Sequence, residues 1–121
     1  MKLMLIALSL LTLTSCTNAQ LGNTLYGTSI GLLAVDWGQT RSIVRHPERW
    51  GEGNPALGPH PTFTQVDTYF TAWILGTAVS YPFIKPEYRP YVYGLITALE
   101  GYCVGHNVRN GLHIDFIGVK F

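Results

Sequence analysis

The sequence predicts an all-α protein: a small bundle of three packed helices, read as transmembrane, behind an N-terminal signal segment and ahead of a short extended tail. Three observations carry that reading. Three apolar stretches (25–44, 66–84 and 90–108) each approach the roughly 20 residues that cross a bilayer, although each has polar interruptions. Charged residues make up only 12% of the 121-residue chain, against roughly 25% in an ordinary soluble domain. Small residues recur at four-residue spacing within the stretches, as helices use when their backbones approach closely in lipid. The chain is long enough for one domain, and its net charge of +1 without a basic block speaks against nucleic acid as a partner.

Lys2 opens the chain as a positive n-region, and residues 3–13, LMLIALSLLTL, form an apolar run of eleven residues. That run is too short to span a membrane and suits the h-region of a signal peptide. LTSC at 13–16 follows directly and resembles a bacterial lipobox. The likeness implies that residues 1–15 are removed and that Cys16 carries lipid, leaving 16–121 as a single helical membrane domain. Cys103 would then have no intramolecular partner, and its apolar surroundings in the sequence predict a small buried hydrophobe.

A short polar linker, TNAQ, separates this segment from the first helix, which Asn23 or Thr24 could cap. TQVD at 64–67 has the pattern of a capping box for the second helix, and Pro82 stops that helix near Ser80. Pro90 suits the first turn of the third helix, and Asn110-Gly111 ends it. The small-residue rows are Gly27 with Gly31, then Thr64, Thr68, Ala72, Gly76 and Ser80, then Thr97, Gly101 and Gly105 beside Gly94 and Ala98. They predict close packing among the three helices, or with another membrane protein. The tail, LHIDFIGVKF, is read as an extended segment packed on the bundle.

Charge placement agrees with membrane insertion. With Cys16 outside, Arg41, Arg45, Arg49, Arg109 and Lys120 fall inside and Lys85 and Arg89 outside, as the positive-inside rule expects. The expected location is therefore a bacterial cell membrane, with membrane lipid as the partner. The inner membrane is favoured, and an outer-membrane lipoprotein with a soluble bundle is the alternative.

The residues able to carry chemistry are few. Asp36, Gln39 and Thr40 share one face of the first helix, and Glu100, Cys103 and Asn107 one face of the third, with His106 adjacent. An acid at membrane depth is costly unless paired, so Asp36 and Glu100 are expected to face inward. They form either a polar clamp that fixes helix register or a functional polar site, the alternative being an intramembrane acid–base or hydrolytic centre of Asp36, Glu100 and His106 with the Glu52/His60 loop. The segment 52–61, EGNPALGPHP, reads first as a rigid corner. Pro55, Pro59 and Pro61 restrict the residues before them, and Gly58 permits a turn, while Glu52, Asn54 and His60 supply its polar groups. No pair among His60, His106 and His113 has helical ligand spacing, so no metal is expected. No nucleotide-binding or nucleophile motif appears, so no cofactor is expected and a non-enzymatic role leads.

Read together, DWGQT at 36–40, EGNPALGPHP at 52–61 and VDTYF at 66–70 resemble a set of small bacterial and phage-encoded membrane proteins. Their pattern is D-x-x-Q-T followed by E-x-N-P-x-L-G-x-H-P and an aromatic-rich helix, then a third helix with an acid and a His-Asn pair. Glu100, His106 and Asn107 stand at those last positions here. The resemblance implies a membrane fold and a bacterial or phage source, and it implies no activity.

Overall fold

The computed structural model describes residues 2–116, with side chains from residue 18 onward. Three helices account for most of it: α1 (Lys2–Arg45), α2 (Phe63–Ser80) and α3 (Arg89–Arg109), with a single 3-10 turn (Tyr81–Phe83) after α2. The all-α expectation holds. Cys16 and the apolar run 3–13 lie outside the residues whose side chains are described, as do 117–121 of the tail.

α1 runs through TNAQ without a break, so that segment is not a linker and neither Asn23 nor Thr24 caps a helix. Nothing in residues 17–24 forces the chain out of helix: there is no proline, and the one glycine, Gly22, is tolerated at modest cost. Asn23 instead accepts a hydrogen bond from the Tyr81 hydroxyl at 2.5 Å. The capping box of α2 also sits two residues earlier than TQVD. The Thr62 hydroxyl accepts from the Gln65 backbone N–H, and the Gln65 side chain accepts from the Thr62 N–H at 2.9 Å. Thr62 takes the extended conformation of an N-cap, with φ -84° and ψ 161°, immediately after Pro61. The expected ends hold elsewhere: α2 stops at Ser80 before Pro82, Pro90 lies in the first turn of α3, and Gly111 takes φ +76° just past it.

The helices run up, down and up. α1 pairs with α2 through Trp37 and Arg41 on Asp67 near one end and Asn23 on Tyr81 near the other. α3 runs parallel to α1, from Thr97 on the Leu25 carbonyl to Asn107 on Asp36. α1 is thus the spine, with α2 and α3 laid on its sides. Leu33, Leu57, Val66 and Phe70 form the core, and Trp37 stacks on Phe70 at 6.5 Å. A second cluster, Tyr26, Tyr81 and Tyr93, closes the other end of the bundle.

The small-residue rows do not serve as predicted. Along α2, Thr64, Thr68, Ala72 and Gly76 are exposed. Gly27, Gly31, Gly76 and Gly105 have no neighbouring atom within 4 Å of where a Cβ would stand. Only α3 uses the pattern: Gly94 admits Leu25 and Gly101 admits Leu32. The closest glycine contact, at Gly38, lies outside every row. A Cβ there would stand 2.5 Å from Ile114 and 3.0 Å from the Phe116 ring. Gly38 seats the tail, and its carbonyl accepts the Asp115 N–H at 3.0 Å. The described part of the tail therefore packs on the bundle as expected. Arg45 reinforces it with an ion pair to the buried Asp115 at 2.6 Å.

Among the described residues, no helix is long and apolar enough to cross a membrane, so the expectation of three spans finds no support. The reason is visible in the helices: Asp36 and Arg41 interrupt α1, Asp67 interrupts α2, and Glu100 and His106 interrupt α3.

Candidate functional site

α2 and α3 diverge over the C-terminal half of α1 and leave a cleft of about 560 Å³ between them. α1 contributes Asp36 to its floor, and α3 contributes Glu100, Cys103, His106 and Asn107. Tyr69 and Trp73 of α2 form one wall, and residues 50–55 close one end. Trp50 anchors that closing loop by donating its indole N–H to the Asn110 carbonyl at 3.3 Å.

The spacing on each helix builds the floor. Asp36 and Gln39, one turn apart, both turn towards α3, where Asn107 faces them. The Asn107 amide donates to Asp36 at 2.8 Å and to Gln39 at 3.2 Å, with Gln39 almost wholly buried. Glu100, two turns earlier on α3, comes within hydrogen-bonding reach of Asp36. Thr40 is buried nearby in α1 and does not line the cleft.

Burial pushes the Asp36 carboxyl up from its ordinary 3.8 to about 7, and the negative charges of Glu100 and Glu52 add to the rise. Asn107 pulls the other way by bonding to the charged form. Glu100 is also raised by burial, although its bond from Asp36 offsets part of that rise. The hydrogen bond between them adds to the rise at Asp36 and offsets part of the rise at Glu100. This is how two carboxyls coexist in one poorly hydrated site: the pair ionises in steps.

The loop is a stiff corner, as its sequence predicts. Glu52 accepts the Asn54 N–H at 2.8 Å, and Asn54 accepts the Ala56 N–H at 2.9 Å. The Glu52 N–H donates to the Pro59 carbonyl at 3.0 Å, which ties the two limbs together, and Gly58 takes φ +76°. Glu52, Asn54 and Pro55 face the cleft, whereas Gly58, His60 and Pro61 do not line it. His60 is exposed and takes no part in the acid cluster.

The second oxygens of Glu52 and of Glu100 are both shielded from solvent and have no hydrogen-bond partner. Cys103 is exposed, not the buried hydrophobe expected, because its side of α3 borders the open cleft. Burial of the sulfur raises its thiol, followed by the charges of Asp36, Glu100 and Glu52, which leaves it a poor nucleophile. His106 is exposed and stacks on Tyr102 at 6.1 Å. Among the described residues, no group of three or more His, Cys, Asp and Glu could hold a metal ion.

The aromatic walls went unread in the sequence. Tyr69, Trp73 and Tyr102 stand at ordinary helix positions, and only the divergence of α2 from α3 turns them towards one space. Asp67 was also missed. Burial alone would raise it, but bonds from Arg41 at 2.5 Å and Trp37 at 2.7 Å prevail and hold its carboxyl below the ordinary range. No protein-family model matches this chain, and neither a curated protein nor a solved structure is significantly similar to it.

Proposed function

We propose that this protein is a small membrane-associated helical bundle with a structural or interaction role in a bacterial envelope, phage-encoded on the resemblance of its central motif. In this reading, lipid covers the outer faces of α2 and α3, and lipid on Cys16 tethers the chain. The observation that carries it is an inverted distribution of polarity. Ser29, Gln39, Thr40, Ser42 and Thr77 are buried, while Leu75, Val79, Tyr91, Val92 and Leu95, none of which lines the cleft, are exposed. A water-exposed domain has little reason for that arrangement, and contiguous exposed apolar surface marks contact with a membrane or a partner. The inner membrane is the favoured location.

Flotation with liposomes tests this reading. A Cys16→Ala variant is expected to float with the vesicles, and adding Leu75→Glu and Leu95→Glu, both exposed and outside the cleft, is expected to release it. Both variants share one N-terminus, so if both float alike the N-terminal segment holds the protein and the outer face does not contact lipid.

A second reading is an acid–base site built on Asp36 and Glu100, with His106 at its rim. The Asp36 carboxyl, raised to about 7, favours it, since a general acid is most effective when it titrates near the working pH.

A further inference from the structure

We propose that the cleft between α2 and α3 binds an organic cation: an amine or quaternary ammonium group attached to an apolar or aromatic body. The cleft's volume, about 560 Å³, falls within the roughly 300–1,000 Å³ typical of small-molecule sites. Its lining is divided by chemistry. Asp36, Glu52 and Glu100 supply carboxyls, while Trp50, Tyr69 and Trp73 supply ring surface. Among the described residues, no Lys or Arg lines the cleft. Arg41 is held by Asp67 and Arg45 by Asp115, which leaves neither free to neutralise the floor.

The unpartnered oxygens of Glu52 and Glu100 are an independent sign of a missing donor. A desolvated carboxylate oxygen without a partner is destabilising, and an ammonium N–H or a polarised N-methyl group would relieve that cost. The choice of an organic cation follows from two further facts. The acids are not arranged to hold a metal ion. Aromatic faces attract diffuse cations at distances up to about 6 Å and add nothing specific for a compact, oxygen-seeking ion. Trp50 already behaves in this way towards Arg49, whose guanidinium lies 4.7 Å from its ring. An apolar body on the ligand would rest against Ile96 and Leu99 on the α3 side.

The test is titration of the full chain in a non-ionic detergent at pH 8, followed by tryptophan fluorescence and calorimetry. Benzyltrimethylammonium is the probe, benzyl alcohol its neutral counterpart and Ca²⁺ the competitor. The ammonium probe is expected to bind at least tenfold more tightly than the alcohol and to resist displacement by Ca²⁺. Glu52→Gln, in the loop and outside the helical core, is expected to weaken the probe about tenfold with an unchanged circular dichroism spectrum. Trp73→Leu, on the half-exposed wall, provides a second variant and is expected to weaken it two- to fivefold. Equal affinity for the alcohol, displacement by Ca²⁺, no binding of the probe, or wild-type affinity in both variants would each overturn the proposal. The titration contains no bilayer, so its outcome is independent of the flotation result.

Discussion

Replacing Asp36 with asparagine should remove most of the pH dependence of stability between pH 5 and 8. A carboxyl raised from 3.8 to about 7 binds its proton more tightly in the folded chain than in the unfolded one. Its contribution to stability is therefore fully present below about 3.8 and is lost as the pH rises through about 7. At roughly 1.36 kcal/mol per pH unit, the whole effect amounts to about 4 kcal/mol. Linkage over the narrower range from pH 5 to 8 gives a loss of about 2.5 kcal/mol in the wild type. Glu100 is raised as well and acts with the same sign. Asp67, held low, loses its contribution only as the pH falls through its folded value, below this window. Asparagine keeps an oxygen for the Asn107 amide and has no charge to lose. Thermal unfolding followed by circular dichroism in non-ionic detergent is the assay. The wild type should melt on the order of 10 °C lower at pH 8 than at pH 5, and the Asp36→Asn protein should keep only the smaller difference that Glu100 contributes. Equal shifts in the two proteins would refute the claim that Asp36 is neutral below pH 7.

Two further substitutions probe the frame around the site. Gly38→Ala places a methyl group 2.5 Å from Ile114 and should dislodge the tail while leaving the bundle folded. Hydrogen exchange should show the Asp115 amide losing its protection, and unchanged protection would refute that seating. Thr62→Ala removes the capping box of α2 and should cost about 1 kcal/mol in thermal unfolding, whereas no measurable loss would deny the cap its role.

Much of this was legible in the sequence because it is local. Pro82, Pro90 and the Asn110-Gly111 pair punctuate the chain by their own backbone chemistry, and α2 and α3 end where those residues require. Helical periodicity likewise put Asp36 with Gln39, and Glu100 with Asn107, before any packing was considered. What failed needed information about neighbours. The row from Thr64 to Gly76 looks like an interface in sequence, yet α2 turns it outward because Val66 and Phe70 on the opposite side are the residues that meet α1. The start of α1 was misplaced for a related reason: polar residues such as TNAQ look like a linker, but they sit in a helix already propagating. Gly38 was unremarkable in sequence because the chain that crowds it lies more than 70 residues away.

The loop and the acid pair together bear on whether the polar face is only a clamp. For fixing the register of α1 against α3, Gln39 and Asn107 suffice: they are neutral, they bond to each other at 3.2 Å, and they carry no penalty on ionisation. Asp36 and Glu100 add carboxyls that burial penalises. The loop aggravates that penalty, because its own hydrogen bonds hold Glu52 close enough for its charge to raise Asp36 further. A clamp alone would be better served by an amide at either acid and by a loop turned away. Three carboxyls held together against their own repulsion, with two oxygens still lacking donors, are more economically explained if something positively charged, a proton or a cation, comes and goes between them.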